Sequence, residues 1–125
     1  MKLLLDTHVL LWWLADDPTL SKVAREAIGK GDNVVFVSAA SAWEVAIKQA
    51  LGKLVMPGDL AAALGQCGFE ELTIKVPHAL HAGALPRHHD DPFDRMLIAQ
   101  AQVEELVLLT RDERFKHYDV ATLPA

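Results

Sequence analysis

Short apolar runs alternate with longer mixed stretches from one end of the chain to the other. Lys2-Leu3-Leu4-Leu5 is apolar without alternation and stops at Asp6. That pattern suits a central parallel strand covered on both faces. Val34 to Val37 is β-branched and aromatic and predicts a second strand. Glu71 to Ile74, Leu106 to Leu109 and Asp119 to Thr122 supply three more. Helical patterns fill the intervals. Val9 to Leu14 ends at Asp16-Asp17-Pro18, and Lys22 to Ile28 opens on Ser21 and stops at Gly29 and Gly31. Ala39 to Leu51 is closed by Gly52. Leu60 to Gln66, Pro77 to Leu85 and Met96 to Val103 follow, with a helical turn at Arg114 to Tyr118. Strands alternating with helices argue for an α/β protein, a parallel sheet covered by helices on both faces.

Composition narrows the class. A length of 125 residues predicts one domain spanning 1–125, and 51% hydrophobic residues suit a packed core. Cys67 is the single cysteine, so no internal disulfide forms and a reducing, cytoplasmic setting is expected. No apolar run is long enough to span a bilayer, so no membrane partner is expected. The formal charge of -5 weighs against a nucleic-acid partner by itself. It says nothing of distribution, and several acids gathered against cations would leave the remainder near neutral.

The candidate chemistry lies in those acids, each of which also has an ordinary structural reading. Asp6 follows the first strand, where it could cap the next helix. Glu44 could close a capping box from Ser41, or sit in the second turn of a helix that begins at Ser38. The run Ala39, Ala40, Ala42 favours the earlier start. In Asp91-Pro92-Phe93-Asp94, Asp91 fits an N-cap and Pro92 the first helical position. Asp94 then lies against the positive end of the helix dipole. Asp112 follows Leu-Leu-Thr-Arg, where a turn or cap aspartate is common. Singly these signals are weak. Jointly, Asp6 and Asp112 follow apolar strands while Glu44 and Asp94 stand early in neighbouring helices. Two carboxylates about 4 Å apart repel by roughly 4 kcal/mol at an effective dielectric near 20. Four can share a pocket only if some are protonated or cations neutralise them. Oxygen-only ligation with open positions suits Mg²⁺ or Mn²⁺.

These segments are also where the chain resembles the PIN-domain ribonucleases, and among them the VapC-type toxins of bacterial toxin–antitoxin pairs. LLLDTHVLLWWL, SAASAWEVAIKQALGKL, HHDDPFDRMLIAQA and LVLLTRDERF are similar to the family in order and spacing. The resemblance implies a three-layer sandwich around a parallel sheet of about five strands. It places Asp6, Glu44, Asp94 and Asp112 as catalytic, metal-binding acids, with Thr7, Asp91 and Thr110 in support. It further implies Mg²⁺ or Mn²⁺ as cofactor, hydrolytic cutting of an RNA substrate, homodimers, and inhibition by a small antitoxin protein.

Arg87, Arg95, Arg111, Arg114 and Lys116, with His88, His89 and His117, cluster in sequence near the acids and are candidates for phosphate contacts. Arg95 and Arg111 are foremost. One of Trp12 and Trp13 is expected to line an antitoxin groove. A phosphoryl-transfer hydrolase on a similar sheet fits less well, because His8 stands where a second acid would be needed. A zinc site from His88, His89 and Asp91 is disfavoured by the adjacency of its histidines. A non-catalytic PIN-like binding domain is the remaining alternative.

Overall fold

A computed structural model describes residues 1–125. Five strands form one sheet: β1 (Lys2–Leu5), β2 (Val34–Ser38), β3 (Glu70–Leu72), β4 (Val107–Thr110) and β5 (Thr122–Pro124). Every pairing is parallel and the spatial order is β3-β2-β1-β4-β5. The helices are α1 (Thr7–Leu14), α2 (Lys22–Gly29), α3 (Ala39–Ala50), α4 (Leu60–Cys67), α5 (Val76–Ala84) and α6 (Pro92–Glu104). A 3₁₀ turn spans Glu113–His117.

The period-two geometry of a strand divides its side chains between two layers. Leu3 and Leu5 join Val9, Leu10, Val35, Val37 and Leu109 in one core, beneath α1 and α2. Leu4 and Leu108 face the other way, onto Leu97, Ile98 and Phe115 with α5 and α6. Leu3, Leu4 and Leu5 are all fully buried, as expected of a central strand covered on both sides. The molecule is therefore the expected three-layer α/β sandwich.

The chain runs outward from β1 through β2 to β3, then returns to place β4 on the other side of β1. The gap between β1 and β4 is thus the point where strand order reverses. In open parallel sheets, ligands bind at the carboxyl ends of strands flanking such a point. Asp6 follows β1 and Asp112 follows β4 by two residues, so both acids flank it.

Element boundaries differ from expectation mainly at the sheet edges. β3 starts one residue earlier and is shorter. β5 is Thr122–Pro124 rather than Asp119–Thr122, and pairs Leu108 with Thr122 and Thr110 with Pro124. The earlier residues are consumed in leaving the 3₁₀ turn, where Tyr118 donates its hydroxyl to the Pro86 carbonyl at 2.8 Å. α3 begins directly after Ser38, whose hydroxyl accepts from the Ala40 amide at 3.0 Å. The capping box from Ser41 is absent; Ser41 is buried and accepts from the Thr7 hydroxyl at 3.1 Å. No helix is long and apolar enough to cross a membrane.

Candidate metal centre

Four separate elements deliver the four acids to one cleft. Asp6, Glu44, Asp94 and Asp112 line a cavity of about 400 Å³, together with Thr7 and Asp91. Trp12 is its one hydrophobic wall, and Lys48, Arg111 and Arg114 stand around it.

Asp6 is anchored by its surroundings. Its Oδ1 accepts from the Val9 amide at 2.8 Å, capping α1, and its Oδ2 accepts from the Thr110 hydroxyl. Thr110 in turn accepts from the Asp112 amide at 3.1 Å. One threonine therefore ties the ends of β1 and β4 together. Burial raises the Asp6 pKa, against the opposing pull of its two hydrogen bonds.

Asp91 is the N-cap of α6: its Oδ1 accepts from Phe93 at 2.9 Å and from Asp94 at 3.0 Å. The first turn of α6 then aims Asp94 at the cleft. Burial, and then the negative charge of Asp91, push the Asp94 carboxyl up to about 6. Asp112 behaves oppositely. The Arg114 guanidinium lies 2.6 Å from its Oδ2 and holds its carboxyl below the usual range. Asp112 also caps the 3₁₀ turn through the Arg114 amide. The capping roles of Asp6, Asp91 and Asp112 are therefore real and coexist with a place at the cleft.

Glu44 lies inside α3 and is 8% exposed. Lys48, one turn on, pairs with Oε2 at 3.3 Å. Glu44 Oε1 is buried without any hydrogen-bond partner, and no other buried side-chain polar atom is left so. An unpaired buried carboxylate oxygen is costly and needs an explanation. A cation in the cleft supplies one. The donor set is hard oxygen, and two of the acids hold their protons more tightly than free carboxylates do. Asp6, Glu44, Asp94 and Asp112 thus fit a divalent ion such as Mg²⁺ or Mn²⁺.

His89, expected only as a phosphate contact at the rim or as a disfavoured zinc ligand, instead meets an acid: it is 5% exposed, and its Nε2 is 2.7 Å from Asp94 Oδ2. His89, Asp94 and Asp112 each offer an atom within 4.8 Å of the others. The clustering of His89 near the acids in sequence brought it into view, but nothing there pointed to a contact with Asp94. His88 and Asp91 do not complete a zinc trio with it: His88 turns away to stack on Tyr118 (5.3 Å) and His117 (5.9 Å).

The two arginines expected at the rim part company. Arg111 lines the cleft, with its guanidinium 4.7 Å above the Trp12 ring and hydrogen bonds to the carbonyls of Thr19 and Ala125. Arg95 does not line it. Its guanidinium donates to four carbonyls, those of Ala82, Leu85, Pro86 and His89. It closes the end of α5 and the loop beyond, so its donors are spent on the fold. Trp12 and Trp13 are both half-buried; Trp13 packs against Phe69 at 6.3 Å.

An open parallel sheet with acids gathered at its switch point defines an α/β protein with a set of hard oxygen donors at the carboxyl edge. The chain belongs to the PIN-domain family, whose model matches residues 3–121. It is 30% identical to ribonuclease VapC22 of Mycobacterium tuberculosis over 118 residues, covering 92% of this chain and 90% of that one. Among solved structures it resembles VapBC2 from Rickettsia felis bound to a DNA fragment from their promoter. There the TM-score is 0.73 at 16% identity, over 99% of this chain and 98% of the other. A toxin–antitoxin complex from Klebsiella pneumoniae gives a TM-score of 0.67 at 18% identity, over 96% and 94%. At those identities the solved structures speak for the fold alone.

Proposed function

We propose that the chain is a metal-dependent endoribonuclease, the toxin of a VapBC-type toxin–antitoxin pair. The observation that carries this reading is the convergence of Asp6, Glu44, Asp94 and Asp112 on one cleft, with a buried Glu44 oxygen left unpaired. The name of the Mycobacterium relative supports ribonuclease chemistry, and the antitoxin partner is proposed by analogy with the Klebsiella toxin–antitoxin complex, whose fold this chain shares.

In this reading the four acids hold Mg²⁺ or Mn²⁺. When bound, such an ion lowers the pKa of water and stabilises charge developing on a phosphodiester. The protein's own contribution is placement. Thr110 fixes Asp6 by donating to one carboxylate oxygen, and Asp91 fixes the first turn of α6 on which Asp94 stands. Thr7 holds α1 against α3 through Ser41, keeping Asp6 and Glu44 in register. Arg111 and Arg114 stand at the cleft wall where the flanking phosphates of an RNA strand would lie. Trp12 beside Arg111 is the wall an antitoxin segment would cover. A homodimer and a cytoplasmic setting belong to the same proposal.

A non-catalytic binding domain has one observation in its favour. Lys48, Arg114 and His89 already pair with Glu44, Asp112 and Asp94 without any ion. One experiment separates the readings. Purified protein is stripped with EDTA, then assayed on RNA with Mg²⁺ or Mn²⁺ restored. Cutting that returns with the ion and vanishes in Asp6→Asn and Asp94→Asn supports the nuclease. No cutting under any ion leaves the binding domain, and phosphate release from a small phosphomonoester points to the phosphoryl-transfer rival.

A further inference from the structure

His89 is the one buried side chain at the acids that is not itself an acid or a hydroxyl. Its ring is fixed on three sides. Nδ1 accepts from the Asp91 amide at 3.4 Å. One edge of the ring lies against Phe115, with centroids 6.0 Å apart. Nε2 meets Asp94 Oδ2 at 2.7 Å. The Asp91 amide facing Nδ1 favours the tautomer that carries its hydrogen on Nε2, in which His89 donates to Asp94.

We propose that His89 is a positioning residue for the metal centre: it binds one oxygen of Asp94 and turns the other toward the ion. The inference rests on the metal-binding reading given above. The chemistry favours donation over direct ligation. A nitrogen ligand must offer a lone pair, and here the nitrogen facing the acids carries the hydrogen, while the lone pair is turned to the Asp91 backbone. Carboxylates that bind metals are themselves commonly held by such outer partners, and losing one costs about 10–100-fold in affinity. Asp94 has particular need of it. Asp91 and Asp94 belong to the same helical turn, and the Asp91 carboxylate, an acceptor only, gives Asp94 no donor. Without His89, the Asp94 side chain is free to rotate away from neighbouring negative charge.

The test is Mn²⁺ binding to the full chain, without RNA. Affinity is measured by titration calorimetry, and the coordination sphere by electron spin-echo modulation. His89→Phe keeps the ring and removes the donor; His89→Gln restores an N–H near the Nε2 position. The expected result is a 10–100-fold loss of Mn²⁺ affinity in His89→Phe, recovery to within a few-fold in His89→Gln, and no directly bound ¹⁴N signal in the unsubstituted protein. Equal affinity in His89→Phe overturns the proposal, as does equal loss in both variants. A strong ¹⁴N coupling overturns it in another way, by making His89 a ligand. Should His89→Phe fail to fold, the glutamine variant and the spectrum of the unsubstituted protein still decide. If the unsubstituted protein binds no Mn²⁺, the metal-centre reading itself fails, and that outcome is distinct from all the others.

Discussion

Asp94→Asn should make the metal-free protein more stable at neutral pH, although it removes a group proposed to be essential. The free carboxyl starts at 3.8, and burial together with Asp91 pushes it up to about 6 in the folded chain. A folded-state value above the unfolded one means that the folded chain binds the proton more tightly. The stability this contributes is complete below about pH 4 and is lost as pH rises through about 6. Each pH unit of displacement is worth ~1.4 kcal/mol. The Asp94 side chain keeps 20% of its surface exposed, and solvent screening reduces the total to ~1–2 kcal/mol. The asparagine carries no charge, so it escapes the penalty, and its carbonyl can still accept from His89. Urea unfolding of EDTA-treated protein from pH 4 to 7.5 measures this. The two curves should meet near pH 4 and separate by ~1–2 kcal/mol above pH 6.5, with the variant the more stable. Added Mn²⁺ should then reverse the order, because only the parent gains binding free energy. Parallel curves across the pH range, or a variant less stable at pH 7 without metal, would refute the reasoning.

Metal affinity of the parent should fall as pH drops through about 6, since protons compete for Asp94, and calorimetry at pH 5.5 and 7.5 would show it. Arg114→Ala should bring the Asp112 pKa back up toward its ordinary value, which carbon-detected NMR titration reads directly. Arg95→Ala should cost about 2–4 kcal/mol in chemical unfolding, because four carbonyls lose a charged donor, while leaving Mn²⁺ affinity within a few-fold. Arg111→Glu should weaken RNA binding at low salt and change little at high salt, measured with a metal-free protein so that cleavage does not intervene.

The strands legible in the sequence were those whose side chains have nowhere else to go. Leu3-Leu4-Leu5 and Leu108-Leu109 are buried on both faces, so their unbroken apolar runs announce them. β3 and β5 lie at the sheet edges, carry three residues each and have only intermediate or exposed positions, so tertiary pairing alone sets their limits. The acids could be picked out because helix starts and strand ends are few, and acids at those points stand out. What could not be read was which cation each would face. Arg95 is adjacent to Asp94 in sequence, yet the turn of α6 sends it to the end of α5. Arg114 stands two residues after Asp112, and the 3₁₀ turn folds it back onto that acid rather than leaving it free at the rim. His89 was named only as a rim or zinc candidate for the same reason: nothing in a two-residue spacing says that a loop will bury its ring against Asp94.

The double duty of these acids bears on how the cleft survives without an ion. A carboxylate that caps a helix has one oxygen committed to backbone amides and cannot swing away from its neighbours to relieve repulsion. Asp6 commits one oxygen to Val9, and Asp112 commits one to the Arg114 amide. The amides they satisfy would otherwise be orphaned, which costs about 1 kcal/mol per cap. Folding therefore forces the acids together and offsets part of their repulsion through those same bonds. Glu44 and Asp94 cap nothing. Asp94 is held by His89, whereas Glu44 lies mid-helix, pairs one oxygen with Lys48 and keeps the other buried without a partner. That second oxygen has no partner within the protein, and in the proposed metal-bound state it is the one a cation would satisfy.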